Sequence, residues 1–328
     1  MGATGFVGSH VARALLEAGH EVSGWKRVTS SLELLRGIEL PWYEGDLADR
    51  DSIRCAVAGK DAVVLATGYL SLWPRARDQL YSVNVLGARH VAEACLEAGV
   101  RLLWDGSAGI YAGSTQIEPV DESGVPSPAR YDSFHVVSMA LAEAEILRAV
   151  ARGLDAVLLH PTLVVGPGDR SFHSSWLLLA AAHGGVTLCP SGGLNLVAAD
   201  DLARAHVLAL TKAKKGSVYL LGSENLTNRA LLDLLQDVTG THGRVVACSR
   251  VPFRALGSVA HALGVIRGRD KLDRVDLNTA LARAATLYWF VDSRKAEAEL
   301  GWKPSSVKPA LEAQVDWLRR RGTLAGAP

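Results

Sequence analysis

Seven residues at the start of this chain restrict its architecture more than any others: Gly2-Ala3-Thr4-Gly5-Phe6-Val7-Gly8, running directly into the helical pattern Ser9 to Ala18. Glycines at this spacing let backbone approach a pyrophosphate, and the following helix turns its N–H groups and positive dipole end toward the anion. A G-x-x-G-x-x-G turn alone is weak, since glycines also cluster in ordinary turns, so its weight comes from what surrounds it. A buried strand usually precedes such a turn, and here only Met1 does. That strand lies at the centre of the sheet in this topology, and leaving its neighbours without backbone partners is costly. The expectation is an upstream start omitted from the sequence, or another segment filling the central position.

The rest of the first half alternates strand and helix. Val7, Val11, Leu15 and Ala18 mark one helical face, Gly19 reads as its C-cap, and a short strand pattern follows over Glu21 to Trp25. Further strands are expected over Asp61 to Ala66, Val100 to Trp104 and Ala156 to Leu159, separated by helices over Tyr81 to Ala98 and Val136 to Ala151. This order predicts an α/β fold with a doubly wound parallel sheet, helices on both faces.

Composition narrows the function classes. The chain has 328 residues, 48% of them hydrophobic, enough for a large core in one or two closely joined domains. A net charge of +1 gives no reason to expect nucleic acid as a partner. Cys55, Cys95, Cys189 and Cys248 show no paired ligand spacing, so neither a metal site nor a disulfide framework is expected. No signal peptide is visible, and the apolar stretch Trp176 to Ala182 is too short to span a bilayer, so a cytoplasmic protein without stable membrane insertion is expected.

Glycine and proline punctuate the second half. Gly166-Pro167-Gly168-Asp169 closes the last clear strand of the first half, Gly184-Gly185 and Gly192-Gly193 bracket a short segment, and Pro119 to Pro128 reads as a surface loop. Thr227 is an expected N-cap for a helix over Asn228 to Val238, after which the pattern is mostly helical. The expected division is a dinucleotide-binding Rossmann-type domain over residues 1–168 and 195–222, with a smaller lid for a small-molecule substrate over 169–194 and 223–328.

Several separate motifs together resemble the extended short-chain dehydrogenase/reductases of the NAD-dependent epimerase/dehydratase family. They are Gly2 to Gly8, Gly45-Asp46-Leu47, Tyr81-Ser82-Val83-Asn84 with Gly87, Ser107, His160-Pro161-Thr162, Gly166 to Asp169, Tyr288 to Asp292 and Glu299 to Trp302. Leu72-Trp73, Gly193 to Val197 and Gly222 to Thr227 resemble the dihydroflavonol-reductase-like branch that includes hopanoid-associated sugar epimerases. The resemblance spans nearly the whole chain and is specific for fold, much less so for substrate.

The resemblance implies a cofactor site made by Gly2, Thr4, Gly5, Phe6, Val7 and Gly8 at the pyrophosphate, Asp46 and Leu47 at adenine, Thr67 and Gly68 at a neighbouring strand end, and Asn84 and Pro161 nearby. Asn84 has a local cap as its alternative. Lys26 and Arg27 end the second strand, where NAD-selective relatives place an acid; two cations there favour a 2′-phosphate, hence NADP(H) over NAD(H). A solvated basic strand end is the bland alternative. The resemblance also implies a homodimer paired through the two long helices.

At the catalytic positions the chain departs from that pattern. Ser107 stands where the family has its serine, but Tyr-x-x-Ser-Lys is replaced by His135-Val136-Val137-Ser138-Met139, so His135 takes the tyrosine position and Met139 the lysine position. Met139 carries no charge and cannot hold a ribose. His135 can still exchange a proton near neutral pH, or is a helix-start histidine bonded locally. Tyr131, four residues before His135, offers a second register. A hydrolase reading of Ser107, His135 and Asp105 is disfavoured, because Asp105-Gly106-Ser107-Ala108-Gly109 lacks the first glycine of a nucleophile elbow.

Three functions follow: an NADP(H)-dependent oxidoreductase acting on a carbonyl or secondary alcohol, with Ser107 and His135 or Tyr131 handling the proton; a non-redox epimerase, dehydratase or cyclase on the same scaffold; or a non-catalytic cofactor-binding protein. Arg170, Phe172, His173 and Trp176 are candidate substrate-lining residues, with simple core packing as their alternative. Leu256 to Ile266 is an apolar stretch near Arg250, Arg254, Arg267 and Arg269, read as a lid helix, with a membrane or lipid contact as the alternative.

Overall fold

Helix α1 (Phe6–Glu17) grows directly out of the glycine turn and buries Val11, Ala12 and Leu15. It stops where Gly19 takes φ +85°, and the His20 N–H reaches back to the Leu15 carbonyl at 3.0 Å. The computed structural model describes residues 1–126, 133–266 and 278–324. After α1 come β1 (Gly24–Lys26), β2 (Trp42–Glu44), α2 (Arg50–Val57), β3 (Ala62–Leu65), α3 (Arg77–Leu80), a π-helical segment over Tyr81–Leu86, α4 (Gly87–Ala98) and β4 (Arg101–Asp105). The middle of the chain forms α5 (Phe134–Ala151), β5 (Ala156–Pro161), β6 (Leu163–Val165), α6 (Ser175–Ala182), β7 (Val186–Pro190), β8 (Gly193–Ala198), α7 (Ala199–Lys212) and β9 (Val218–Leu221). The remainder forms β10 (Glu224–Thr227), α8 (Asn228–Thr239), β11 (Arg244–Cys248), α9 (Arg250–Ile266), α10 (Thr279–Ala284), β12 (Tyr288–Trp289), α11 (Arg294–Leu300) and α12 (Lys308–Arg320).

Strands β3, β4, β5 and β9 pair in parallel in that order. Their side chains alternate between two cores. Leu102, Trp104 and Leu158 join residues of α2, α4 and α5 on one face, while Leu103, Val157, Leu159 and Tyr219 join α7 and α11 on the other. Both faces are therefore covered, which is why these strands are near-continuous apolar runs.

Strands β1 and β2 pair only with each other, in parallel. Among the described residues no strand joins β1 to β3, so the expectation that another segment fills the central position is not met. Met1 stands at one end of that position: its ammonium donates to the Val64 carbonyl, and its own carbonyl accepts from the Ala66 N–H at 3.0 Å.

The rest of the chain adds helices and short strands that pair in two small sheets. β10 runs antiparallel to β8, while β12 and β6 lie parallel to it, and β11 pairs with β7. Helices α6, α8 and α12 share a core of Leu178, Leu231, Leu235, Leu311, Val315 and Leu318. The fully buried Asp169 anchors this region, accepting from the N–H groups of His173, Ser174 and Ser175 at 2.8–3.0 Å. Gln314 of α12 completes the anchor, donating to both serine hydroxyls and accepting from the Gly166 N–H. Thr227 caps α8 as expected, its hydroxyl accepting from the Ala230 N–H at 3.2 Å.

Candidate active site

The glycine turn is shaped for close backbone approach. Gly2 has φ +90°, and a Cβ there would stand 2.6 Å from Thr67 Oγ1 and 2.7 Å from the Ala66 carbonyl oxygen. At Gly8 a Cβ would lie 2.1 Å from the Gly2 carbonyl oxygen. The Gly5 N–H closes the turn onto that same oxygen at 2.9 Å. Gly5 is also the N-cap of α1 and offers no side-chain cap, and no acidic residue occupies the first turn. The leading N–H groups of α1 therefore await an external acceptor, and Thr67 Oγ1 beside Gly2 is buried without a partner. A pyrophosphate fits this cradle.

The turn is braced from behind. The Arg170 guanidinium donates to the Thr4 carbonyl at 3.0 Å and lies 3.6 Å from Glu33. The Phe6 ring packs on Gly168 and edge-on to His10, while Val7 packs in the cluster between α1 and α7. Phe6 and Val7 thus spend their side chains on packing and leave backbone to a cofactor. Phe172, at φ +56°, His173 and Trp176 are absent from the cavity wall described below, as is Arg170, so the expected substrate-lining group is not assembled there.

The remaining cofactor candidates separate into exposed and structural positions. Lys26 forms an ion pair with Glu44 on the neighbouring strand, which neutralises one of the two cations in place. Arg27 is exposed and has no ion pair among the described residues. Asp46 is exposed and accepts from the Ala48 N–H at 2.9 Å. Leu47 is buried against Gly87, where a Cβ would come 2.8 Å from Leu47 Cδ1, so its side chain anchors the loop to α4. Asn84 is no helix cap. It sits in the π-helical segment, accepts from the Tyr69 N–H at 2.7 Å, and donates to the Tyr69 carbonyl and the Ser138 hydroxyl at 2.9 Å each. That clamp sets the course of the Thr67-Gly68-Tyr69 loop, and π-helical turns recur at such sites.

Ser107 and His135 meet at a cavity of about 530 Å³. Its floor uses the ends of β4 and β5 (Ser107, Pro161, Thr162) and the start of α5; apolar walls come from Leu72, Leu163, Leu194, Leu287 and Trp289, and α9 and α10 add Arg254 and Arg283. Sequence reasoning named Arg254 only as flanking a lid helix and missed Arg283, because residues so far downstream carry no local mark of facing Ser107. The Ser107 hydroxyl accepts from the Gly109 N–H at 3.2 Å, which leaves its own proton for another acceptor. His135 bonds the Tyr69 backbone and its Nδ1 is buried without a partner. Burial, then the nearby His173, lowers its pKa to about 4, so the imidazole is neutral at neutral pH. Met139 is buried in the apolar cluster over this face of the sheet. Tyr131 lies outside the described residues, as do Arg267 and Arg269.

Two buried polar pairs support the floor. Asp105 is paired with His206 of α7 at 2.9 Å, which removes it from any triad with Ser107 and His135. Burial opposes protonation of His206, but the Asp105 charge and hydrogen bond outweigh it and raise its pKa. Behind Ser107, the fully buried His160 accepts the Ser107 N–H at Nδ1 (3.0 Å), and its Nε2 lies 3.8 Å from Glu143 Oε2. Tyr111 donates to the other Glu143 oxygen at 2.6 Å. Burial raises the Glu143 pKa, with the Tyr111 bond acting against it.

The family model described as the NAD dependent epimerase/dehydratase family matches residues 1–222. The chain belongs to that family. Similar curated members include sterol demethylase protein B of Methylococcus capsulatus, 29% identical over 325 residues and covering 98% of each chain. The 2-alkyl-3-oxoalkanoate reductase of Stenotrophomonas maltophilia is 27% identical over 316 residues, covering 92% of this chain and 93% of its own. Among solved structures, that of gox2253 superimposes with a TM-score of 0.85 at 29% identity, covering 98% of both chains. Membership makes this an enzyme scaffold of the NAD-dependent epimerase, dehydratase and reductase type.

Proposed function

We propose that this chain is an NAD(P)-dependent oxidoreductase acting on a carbonyl or secondary alcohol of a small molecule, with NADP(H) favoured over NAD(H). The observation that carries the reading is the cavity that Ser107 and His135 both line, with the Ser107 hydroxyl proton and the buried His135 Nδ1 each uncommitted. A nicotinamide cofactor would supply or accept the hydride when bound. Ser107 donates its hydroxyl proton to the substrate oxygen and orients it. His135, neutral and unpartnered at Nδ1, takes the proton from an alcohol during oxidation and returns it during reduction. The Gly2–Gly8 backbone and the α1 N-terminus hold the pyrophosphate, and Arg27 meets the 2′-phosphate while Glu44 occupies Lys26. Two relatives named as reductase and sterol demethylase protein support redox chemistry in this branch.

The burial of Met139 favours a second reading, a non-redox epimerase or dehydratase, because no cation stands at the family's ribose-holding position. Fluorescence titration with NADPH, followed by turnover against a panel of ketones, separates the two. His135→Gln and Ser107→Ala should each lower NADPH-dependent reduction by about 10²–10⁴-fold with cofactor affinity retained. Full turnover by both variants, or no binding of either nicotinamide cofactor, rejects the oxidoreductase reading.

A further inference from the structure

We propose that the cavity is built for an amphiphilic carboxylate: a substrate with a hydrocarbon body, a carbonyl or hydroxyl at Ser107, and an acidic group held by Arg254 of α9. The reacting end rests on the oxidoreductase reading above; the anionic end rests on a separate set of contacts. Arg254 lines the cavity, and no Asp or Glu lines it among the described residues. A guanidinium facing a largely apolar, partly enclosed space is costly unless an anion pairs with it, so the ligand is the group that completes the charge balance.

Arg254 is held in place without being neutralised. Its Nε donates to the Thr286 hydroxyl at 2.8 Å, and that fully buried threonine donates in turn to the Arg283 carbonyl at 2.8 Å. No ion pair of Arg254 exists among the described residues, so its terminal nitrogens remain for a bidentate partner. The helix itself is fixed: at Gly257 a Cβ would stand 2.2 Å from Ala282 Cβ, and Gly264 and His261 pack on Trp73.

The walls argue against a sugar. Leu70, Leu72, Leu163, Leu194, Leu287 and Trp289 present hydrocarbon. Two of the polar side chains among them are engaged in one chain of bonds: Thr162 donates to Asn195 Oδ1 at 2.8 Å, and Asn195 Nδ2 donates to Asn225 at 2.8 Å. Ser114 accepts from the Gln116 N–H at 3.0 Å. An alkyl chain loses nothing against these six hydrocarbon side chains. The volume lies inside the roughly 300–1,000 Å³ range of small-ligand sites.

Calorimetric titration of the full chain with decanoate, decan-1-ol and UDP-glucose tests this, each below micelle-forming concentration, alongside a fluorescence titration with NADPH. Decanoate should bind at least about tenfold more tightly than decan-1-ol, as expected for a charge-assisted pair. Arg254→Met should erase that preference, and Arg254→Lys should keep part of it, which preserves the test if the methionine variant fails to fold. Equal affinity for acid and alcohol, equal loss of both on Arg254→Met, or binding of UDP-glucose with exclusion of decanoate overturns the proposal. Decanoate selectivity without NADPH binding would reject the oxidoreductase reading and leave the carboxylate site standing; NADPH binding without selectivity would do the reverse.

Discussion

The main-chain N–H of Ser107 donates to Nδ1 of His160 at 3.0 Å, across Gly106, where a Cβ would lie 2.2 Å from that same nitrogen. The bond requires the neutral tautomer with its proton on Nε2, and burial favours a neutral ring by lowering the His160 pKa to about 3. Ser107 thus leaves β4 on a path set by a neutral imidazole. Replacing His160 with alanine strands a buried N–H and opens a cavity between Trp104 and Tyr111, both in edge contact with the ring. The expected loss is about 3 kcal/mol, measured by urea unfolding. A change below about 1 kcal/mol would show that the histidine does not support the floor.

Gly8→Ala should abolish nicotinamide cofactor binding while leaving the helical signal in circular dichroism. The added methyl group meets the Gly2 carbonyl oxygen at 2.1 Å, and that oxygen cannot retreat without opening the turn it closes with Gly5. An alanine variant with unchanged cofactor affinity would show that the cradle is not used.

Arg27→Ala should weaken NADPH binding by about tenfold and leave NADH binding unchanged, as expected for one exposed charge-assisted contact. Lys26→Ala should do less, since Glu44 already holds that ammonium. Parallel fluorescence titrations with the two cofactors read the difference directly.

Met139→Lys, which supplies the lysine that the family resemblance implies at this position, should not bring tyrosine–lysine chemistry to His135. It should destabilise the fold by several kcal/mol or leave the lysine neutral, because Met139 is only 6% exposed and lies in an apolar cluster. Thermal unfolding and turnover together check it; a variant both more active and equally stable would contradict this placement.

Acid should destabilise the protein well above the carboxylate range. Burial lowers His135 to about 4 and His160 to about 3, from an ordinary 6.5, so the unfolded chain binds more protons between those limits. Their contribution is complete above pH 6.5 and is lost progressively as pH falls toward 4 and then 3. Glu143, raised by burial, works in the opposite sense as pH rises past the ordinary carboxylate range. Urea unfolding at pH 7 and pH 5 should show the decline, and His160→Gln should make it shallower.

Local signals were legible where one element explains itself. The apolar spacing of Val7, Val11 and Leu15, the positive-φ stop at Gly19 and the cap at Thr227 each depend on residues within a turn or two, and all three stand as read. Reading by position was less secure where a side chain had alternative partners. Leu47 turned into the core against Gly87, Asn84 clamps Tyr69, and Arg170 braces Thr4.

By itself the sequence determined the α/β alternation and the phosphate-shaped turn, because these follow from periodicity and glycine stereochemistry; Ser107 and His135 were joined as candidates only through the family resemblance. Only the tertiary structure decided that Asp105 belongs to His206, that Glu44 claims Lys26, and that Arg254 faces the cavity. Each of those depends on which distant element comes to lie alongside, and pairing between charges far apart in the chain is set by packing that no local pattern encodes.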